Sequence, residues 1–141
     1  MNMHKEAAEE YANEYPYLQD EIKFLFEYAK SLSKLEQYEK SNEILRRAMQ
    51  ISCDPMLYNV TDKNCQALKE YELAEQNFRK AMNLVPNCLF PHYLLAKLYH
   101  ETGLTDKMKA EINIVLTKPP KVESMAVEEM REEVRKLRIG N

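Results

Sequence analysis

Three histidines and three cysteines are the residues of this chain best suited to hold a metal or act as a nucleophile. His92 and His100 stand two helical turns apart, too far to share one metal ion without a third ligand from elsewhere. No H-x-x-x-H or E-x-x-H pair occurs, and those are the spacings that bring two ligands to one face of a helix. No metal and no cofactor are therefore expected. Cys53, Cys65 and Cys88 are odd in number, and 12 and 23 residues separate them. They form neither a C-x-x-C pair nor a disulfide framework. The expectation is three reduced cysteines, half or fully buried between helices, which favours a cytoplasmic setting. A Ser-His-Asp or Cys-His constellation assembles in space and leaves no signature in spacing. Such chemistry also needs a deep dry pocket, which a stack of helix pairs does not supply. No catalytic residue is expected, and the chain reads as a non-enzyme.

The elements that would position any site must be helical. With only 2 Gly in 141 residues, there is little room for tight hairpins or a phosphate-cradling loop. Apolar residues at 45% and charged ones at 30% suit one folded helical domain rather than a disordered chain. The net charge of −3 is small and mixed in sign, unlike the one-signed basic surface that nucleic acid requires. No apolar run approaches the ~20 residues that span a bilayer, and residues 1–15 are too polar for a signal peptide. The chain as given is expected to be soluble.

Periodicity places the helices. Tyr71, Ala74, Phe78 and Ala81 are spaced 3, 4 and 3, one stripe on a helix, and Pro86 lacks the N–H needed to continue it. The stripe alternates large and small, so a neighbouring helix can approach at each Ala. This pattern resembles the second helix of a tetratricopeptide repeat. Tyr38, Ser41, Leu45 and Ala48 repeat it upstream, in a helix expected to run to about Ser52, and Met108, Ile112 and Val115 repeat it downstream. Ala48, Ala81 and Val115 are 33 and 34 residues apart, the period of that repeat class. First helices are expected at 20–35, with Ile22, Leu25, Tyr28, Ala29 and Leu32 inward, at 55–68, and at 89–102. The second fits least well, because Thr61 and Asp62 stand where the family prefers Leu and Gly. A leading helix from His4 should end before Pro16. Gly103 should close its helix in a left-handed conformation, and Pro119-Pro120 should stop the next. Val127, Met130, Val134 and Leu137 give a last helix one apolar stripe and a charged back, as a capping helix requires.

The resemblance implies an all-α fold: a right-handed tetratricopeptide-repeat superhelix of antiparallel helix pairs, an α-solenoid of about eight helices with a C-terminal capping helix. Its parts would be a half-repeat at 1–19, repeats at 20–54, 55–88 and 89–120, and the cap at 121–141, all in one continuous domain. The family binds protein or peptide segments in its concave groove. By register, the first repeat would line that groove with Lys23, Phe26, Glu27, Lys30 and Lys34. The second would add Met56, Asn59, Lys63 and Gln66, and the third Phe90, Tyr93, Leu94, Lys97, His100 and Glu101. Phe26 and Tyr93 would anchor the partner, and the lysines would favour an acidic one. The basic clamp of co-chaperone repeats is missing, since its places hold Phe26, Lys30, Val60, Phe90 and Leu94.

A second likeness rests on Tyr15-Pro16-Tyr17-Leu18, Phe24-Leu25-Phe26-Glu27-Tyr28, the run from Pro91 to Tyr99, and Lys121-Val122-Glu123-Ser124. These phrases are similar to the C-terminal repeat tails of bacterial O-antigen ligase or polymerase-type membrane proteins. That likeness implies a non-catalytic scaffold that docks a partner, or its own inner-membrane portion, during surface-polysaccharide assembly. The alternative reading is a free-standing structural module that homodimerises through its C-terminal helix.

Overall fold

The computed structural model describes residues 2–85 and 87–139, and every regular element among them is an α-helix. The helices are α1 (Asn2–Leu18), α2 (Ile22–Lys34), α3 (Tyr38–Met49) and α4 (Pro55–Leu68), then α5 (Tyr71–Leu84), α6 (Phe90–Thr102), α7 (Thr105–Thr117) and α8 (Met125–Ile139). They fall into two compact units, Met1–Glu70 and Tyr71–Asn141, with the boundary between the two helices expected for the second repeat.

Local chemistry explains several of the helix ends. Asp54 caps α4 by accepting from the Met56 N–H at 2.9 Å, and Pro55 occupies the first turn, where its missing N–H costs nothing. Gly103 ends α6 at φ +78, and the Leu104 N–H reaches back to the Tyr99 carbonyl at 2.9 Å. Glu36 and Lys69 adopt the same left-handed conformation after α2 and α4, although each carries a Cβ. These three positions are 33 and 34 residues apart. The starts of α3, α5 and α7, at Tyr38, Tyr71 and Thr105, recur at the same intervals.

Two expected stops are corrected. Pro16 lies inside α1, which continues to Leu18. The ring removes a donor from the Ala12 carbonyl, but Ala12 is exposed and water can replace it so near the helix end. Helix α3 ends at Met49 rather than near Ser52; Ile51 and Ser52 both fold back to the Ala48 carbonyl in a turn, at 3.1 and 3.0 Å. The stop assigned to Pro86 lies outside the described residues.

In the first unit, α2 packs on α1, α3 and α4, and α3 packs on α4. Leu25, Ala29, Leu45, Ala48, Leu57 and Tyr58 are fully buried there. The rings of Tyr11, Tyr15, Phe24 and Tyr28 tie α1 to α2, with Tyr11 edge-on to Phe24 at 5.5 Å. A polar knot runs through this apolar packing. The Ser41 hydroxyl donates to the Ala29 carbonyl at 2.7 Å and accepts from the Asn64 amide at 2.9 Å. Asn64 also donates to Asn42 at 2.9 Å and accepts from Ser33 at 2.7 Å. The poor fit of α4 thus has a physical basis. Thr61 satisfies its hydroxyl on the Leu57 carbonyl at 2.8 Å, half-buried Asp62 accepts from Gln66, and the helix is uninterrupted from Pro55 to Leu68.

The second unit repeats this set of pairings: α6 packs on α5, α7 and α8, and α7 packs on α8. Ala74, Phe78 and Ala81 of α5 are buried, as are Leu95, Ala96 and Tyr99 of α6 and Met108, Ile112 and Val115 of α7. Val127, Met130 and Val134 bury the stripe of α8. Arg131 of α8 donates to the Val115 and Lys118 carbonyls at 3.1 and 3.2 Å, satisfying acceptors that the end of α7 leaves open. The expectation of three reduced cysteines is also corrected. Cys53 and Cys88 are disulfide-bonded, and Cys65 is the free thiol. A disulfide needs proximity in space, which spacing along the chain does not report. With two of the three cysteines oxidised, cysteine chemistry does not favour a cytoplasmic setting.

Candidate functional site

Helices α2 and α4 run the same way because α3 returns between them, and a cleft of about 490 Å³ opens along the pair. One face of α2 supplies Phe26, Lys30, Ser33 and Lys34, at successive spacings of a helical stripe. One face of α4 supplies Met56, Asn59, Val60 and Lys63, with Glu36 and Tyr38 completing the lining. The Ser33–Asn64 hydrogen bond joins the C-terminal halves of α2 and α4 and fixes their relative register. Lys34 and Lys63 flank that bond in sequence, so they stand at one end of the cleft. Phe26 and Met56, about two turns earlier in each helix, stand at the other.

The cleft is therefore polarised. At its apolar end Phe26 is half-buried and Met56 is 51% exposed. The Lys30 ammonium lies 5.6 Å from the centre of the Phe26 ring, a cation–π distance. Lys30, Lys34 and Lys63 are all exposed, and among the described residues none of them forms an ion pair. Glu36 is the one carboxylate on the lining. Such a surface can hold an anionic group beside an apolar one.

The structure sorts the residues expected at the groove. Phe26, Lys30, Lys34, Met56, Asn59 and Lys63 come together in the cleft. Lys23 and Gln66 are exposed and Glu27 is half-buried, all outside its lining. In the second unit Phe90, Tyr93 and Leu94 are buried, so the Tyr93 ring is not offered to solvent. Its hydroxyl donates to Glu133 of α8, and Lys97 lies over its ring at 5.2 Å. His100 and Glu101 are exposed. The sequence reading missed Ser33, Glu36 and Tyr38 as lining residues. Ser33 was accessible to it, being seven positions beyond Phe26 and so on the same face.

The remaining ionisable groups with displaced pKa values are held in their neutral or structural forms. Burial pushes the Cys65 thiol up to about 12, with Asp62 and Glu70 adding to the effect, so the reactive thiolate is suppressed. Burial also raises the pKa of the Tyr58 hydroxyl. Tyr99 is raised by burial and by its 3.0 Å bond to Glu75, while Arg79, donating to it at 2.6 Å, pulls the other way. His92 bonds Glu111 at 2.7 Å between α6 and α7. Among the described residues, no group of three or more His, Cys, Asp or Glu could hold a metal ion, and no helix is long and apolar enough to cross a membrane. No family model, curated protein or solved structure matches the chain.

Proposed function

We propose that the chain is a non-catalytic scaffold of tetratricopeptide-type helix pairs that holds a protein segment in the α2–α4 cleft. The observation carrying this reading is the cleft itself, where a ring, a thioether and three lysines that form no ion pair among the described residues converge from single faces of two helices. The repeat assignment draws support from left-handed helix ends and helix starts that recur every 33 or 34 residues. It also draws on the α2–α4 and α6–α8 pairings, in which α2 and α6 each touch the helix two places further along the chain within their own unit. The apolar stripe of α8 is already buried within its own unit, which speaks against α8 as a free dimerisation seam. The phrases around Tyr15, Phe24, Pro91 and Lys121 carry a further proposal, that this is the repeat tail of an O-antigen ligase or polymerase-like protein of the bacterial envelope. Membrane spans encoded immediately upstream of Met1 would support it; a coding sequence that starts at Met1 would remove it.

The test is photo-crosslinking from the cleft. A benzophenone amino acid in place of Asn59 should trap a partner that the same group in place of Lys109, exposed on α7, does not. Phe26→Ala and Met56→Ala should weaken that capture by more than about 1 kcal/mol without altering the melting transition. Equal trapping from both positions, unchanged by either alanine, would refute the cleft as the binding surface.

A further inference from the structure

The two units pair their helices alike, so residues in equivalent registers can be compared. Ala29 of α2 corresponds to Ala96 of α6, both fully buried, and Leu32 to the buried Tyr99. On this register Phe26 corresponds to Tyr93 and Lys30 to Lys97. The same cation–π pair occurs in both units, at 5.6 Å in the first and 5.2 Å in the second. On the facing helices, Leu57 corresponds to Val127 and Asn64 to Val134, all buried to 3% exposure or less. Lys63 then corresponds to Glu133.

That last pair differs in sign, and it separates the two units chemically. In the second unit the Tyr93 hydroxyl donates to the Glu133 carboxylate, which ties α6 to α8 beside the Lys97 ammonium. In the first unit Phe26 has no hydroxyl, and lysine stands where the carboxylate would be. The surface there carries Lys30, Lys34 and Lys63 around an open cleft, with no ion pair among the described residues. Lys34 lies in the last turn of α2, where a helix dipole alone would favour it; Lys30 and Lys63 lie earlier and have no such explanation.

We infer that the cleft of the first unit takes an acidic protein segment, whose carboxylate meets the lysines at the Lys34–Lys63 end and supplies the negative charge that Glu133 supplies in the second unit. This rests on the proposed protein-binding role of the same cleft. The partner segment also carries a large apolar side chain, seated at the Phe26–Met56 end. The two ends are about 12 Å apart, since eight residues of α2 rise at ~1.5 Å each. An extended chain advances ~3.3 Å per residue, so the acid follows or precedes the apolar anchor by three or four residues.

The experiment uses the full chain and a fluorescein-labelled decapeptide with one leucine and glutamates three and four residues after it, the other positions Gly and Ser. Matched peptides carry glutamines for the glutamates, alanine for the leucine, or the reversed order of leucine and glutamates. Fluorescence anisotropy should show saturable binding of an acidic leucine peptide in at least one order. The glutamine peptide, and Lys63→Glu with the acidic peptide, should each be about tenfold weaker or more. Lys40→Glu, on α3 outside the lining, should bind as the wild type does. The double variant Phe26→Tyr with Lys63→Glu recreates the Tyr93–Glu133 pair; it should lose peptide binding and keep its cooperative melt. Tight binding of the glutamine peptide, unaffected by Lys63→Glu, would overturn the acidic partner while leaving the cleft as a binding surface. No binding by any peptide at millimolar concentration would overturn the inference; the crosslinking from Asn59 then decides separately whether the cleft binds protein. Self-association of the chain in sedimentation, abolished by Lys63→Glu, would assign the carboxylate to a second copy and overturn a separate partner.

Discussion

Asn64→Ala tests the polar knot that sets the walls of the cleft. Asn64 is fully buried and makes three hydrogen bonds, to Ser33, Ser41 and Asn42, at 2.7 to 2.9 Å. Each is worth about 1 kcal/mol net when both partners have water as the alternative. After the change, Ser33 and Asn42 can turn to solvent, because both are half-buried. Ser41 is fully buried and cannot, although its own donation to the Ala29 carbonyl survives. Adding the void left by the amide, the expected loss is about 2–3 kcal/mol, read as a lower urea midpoint with an unchanged slope. Asn64→Asp should cost more than about 3 kcal/mol, since it buries a carboxylate against the oxygens of Ser41 and Asn42. A double-mutant cycle with Ser33→Ala should return a coupling of about 0.5–1.5 kcal/mol. If Asn64→Ala melted within about 0.5 kcal/mol of wild type, the knot would not be holding α2, α3 and α4 in register.

Ala81 is 4% exposed on α5, so Ala81→Leu should overpack and lose about 1–3 kcal/mol in denaturant melts, whereas the exposed Glu129→Leu should stay within about 0.5 kcal/mol. His92→Ala leaves Glu111, 6% exposed, without its 2.7 Å partner; a loss of about 2 kcal/mol or more is expected, and a neutral result would show that the carboxylate finds water. Deleting residues from Ser124 onward should cause aggregation or a non-cooperative melt, because α8 no longer covers α6 and α7; a soluble, cooperative truncation would refute its capping role. In denaturant without reductant one thiol per chain should react with maleimide, and in the native state at pH 8 that thiol, Cys65, should react at least ~100-fold more slowly. Its pKa is raised on folding, so the stability it contributes is complete below the unfolded value of about 9.0 and is lost as pH rises toward 12; melts should weaken over that window in wild type more than in Cys65→Ala.

The helices and their inward faces were legible because a 3.6-residue period is written directly into the order of apolar residues. Tyr71, Ala74, Phe78 and Ala81, or Met108, Ile112 and Val115, needed nothing beyond their spacing. Gly103 announced the helix end it makes. Pro16 misled because a proline costs little in the exposed last turn of a helix. Glu36 and Lys69 escaped notice because nothing in a Glu or Lys marks a left-handed residue.

The site was only partly legible. Register along α2 and α4 is a one-dimensional property, and it placed Phe26, Lys30, Lys34, Met56, Asn59 and Lys63 on the faces that meet. Whether a face stays open is decided by what packs over it. Tyr93 repeats Phe26 in the sequence pattern, yet it is buried with its hydroxyl on Glu133, forty residues away on α8. The fate of the cysteines was likewise beyond the sequence, since oxidation of Cys53 and Cys88 depends on distance in space. The sequence by itself determined where the helices lie and which side of each turns inward, because both follow from local period and local capping. Only the tertiary structure decided which surface is left as a cleft, because that depends on charges and hydroxyls brought together from helices far apart in the chain.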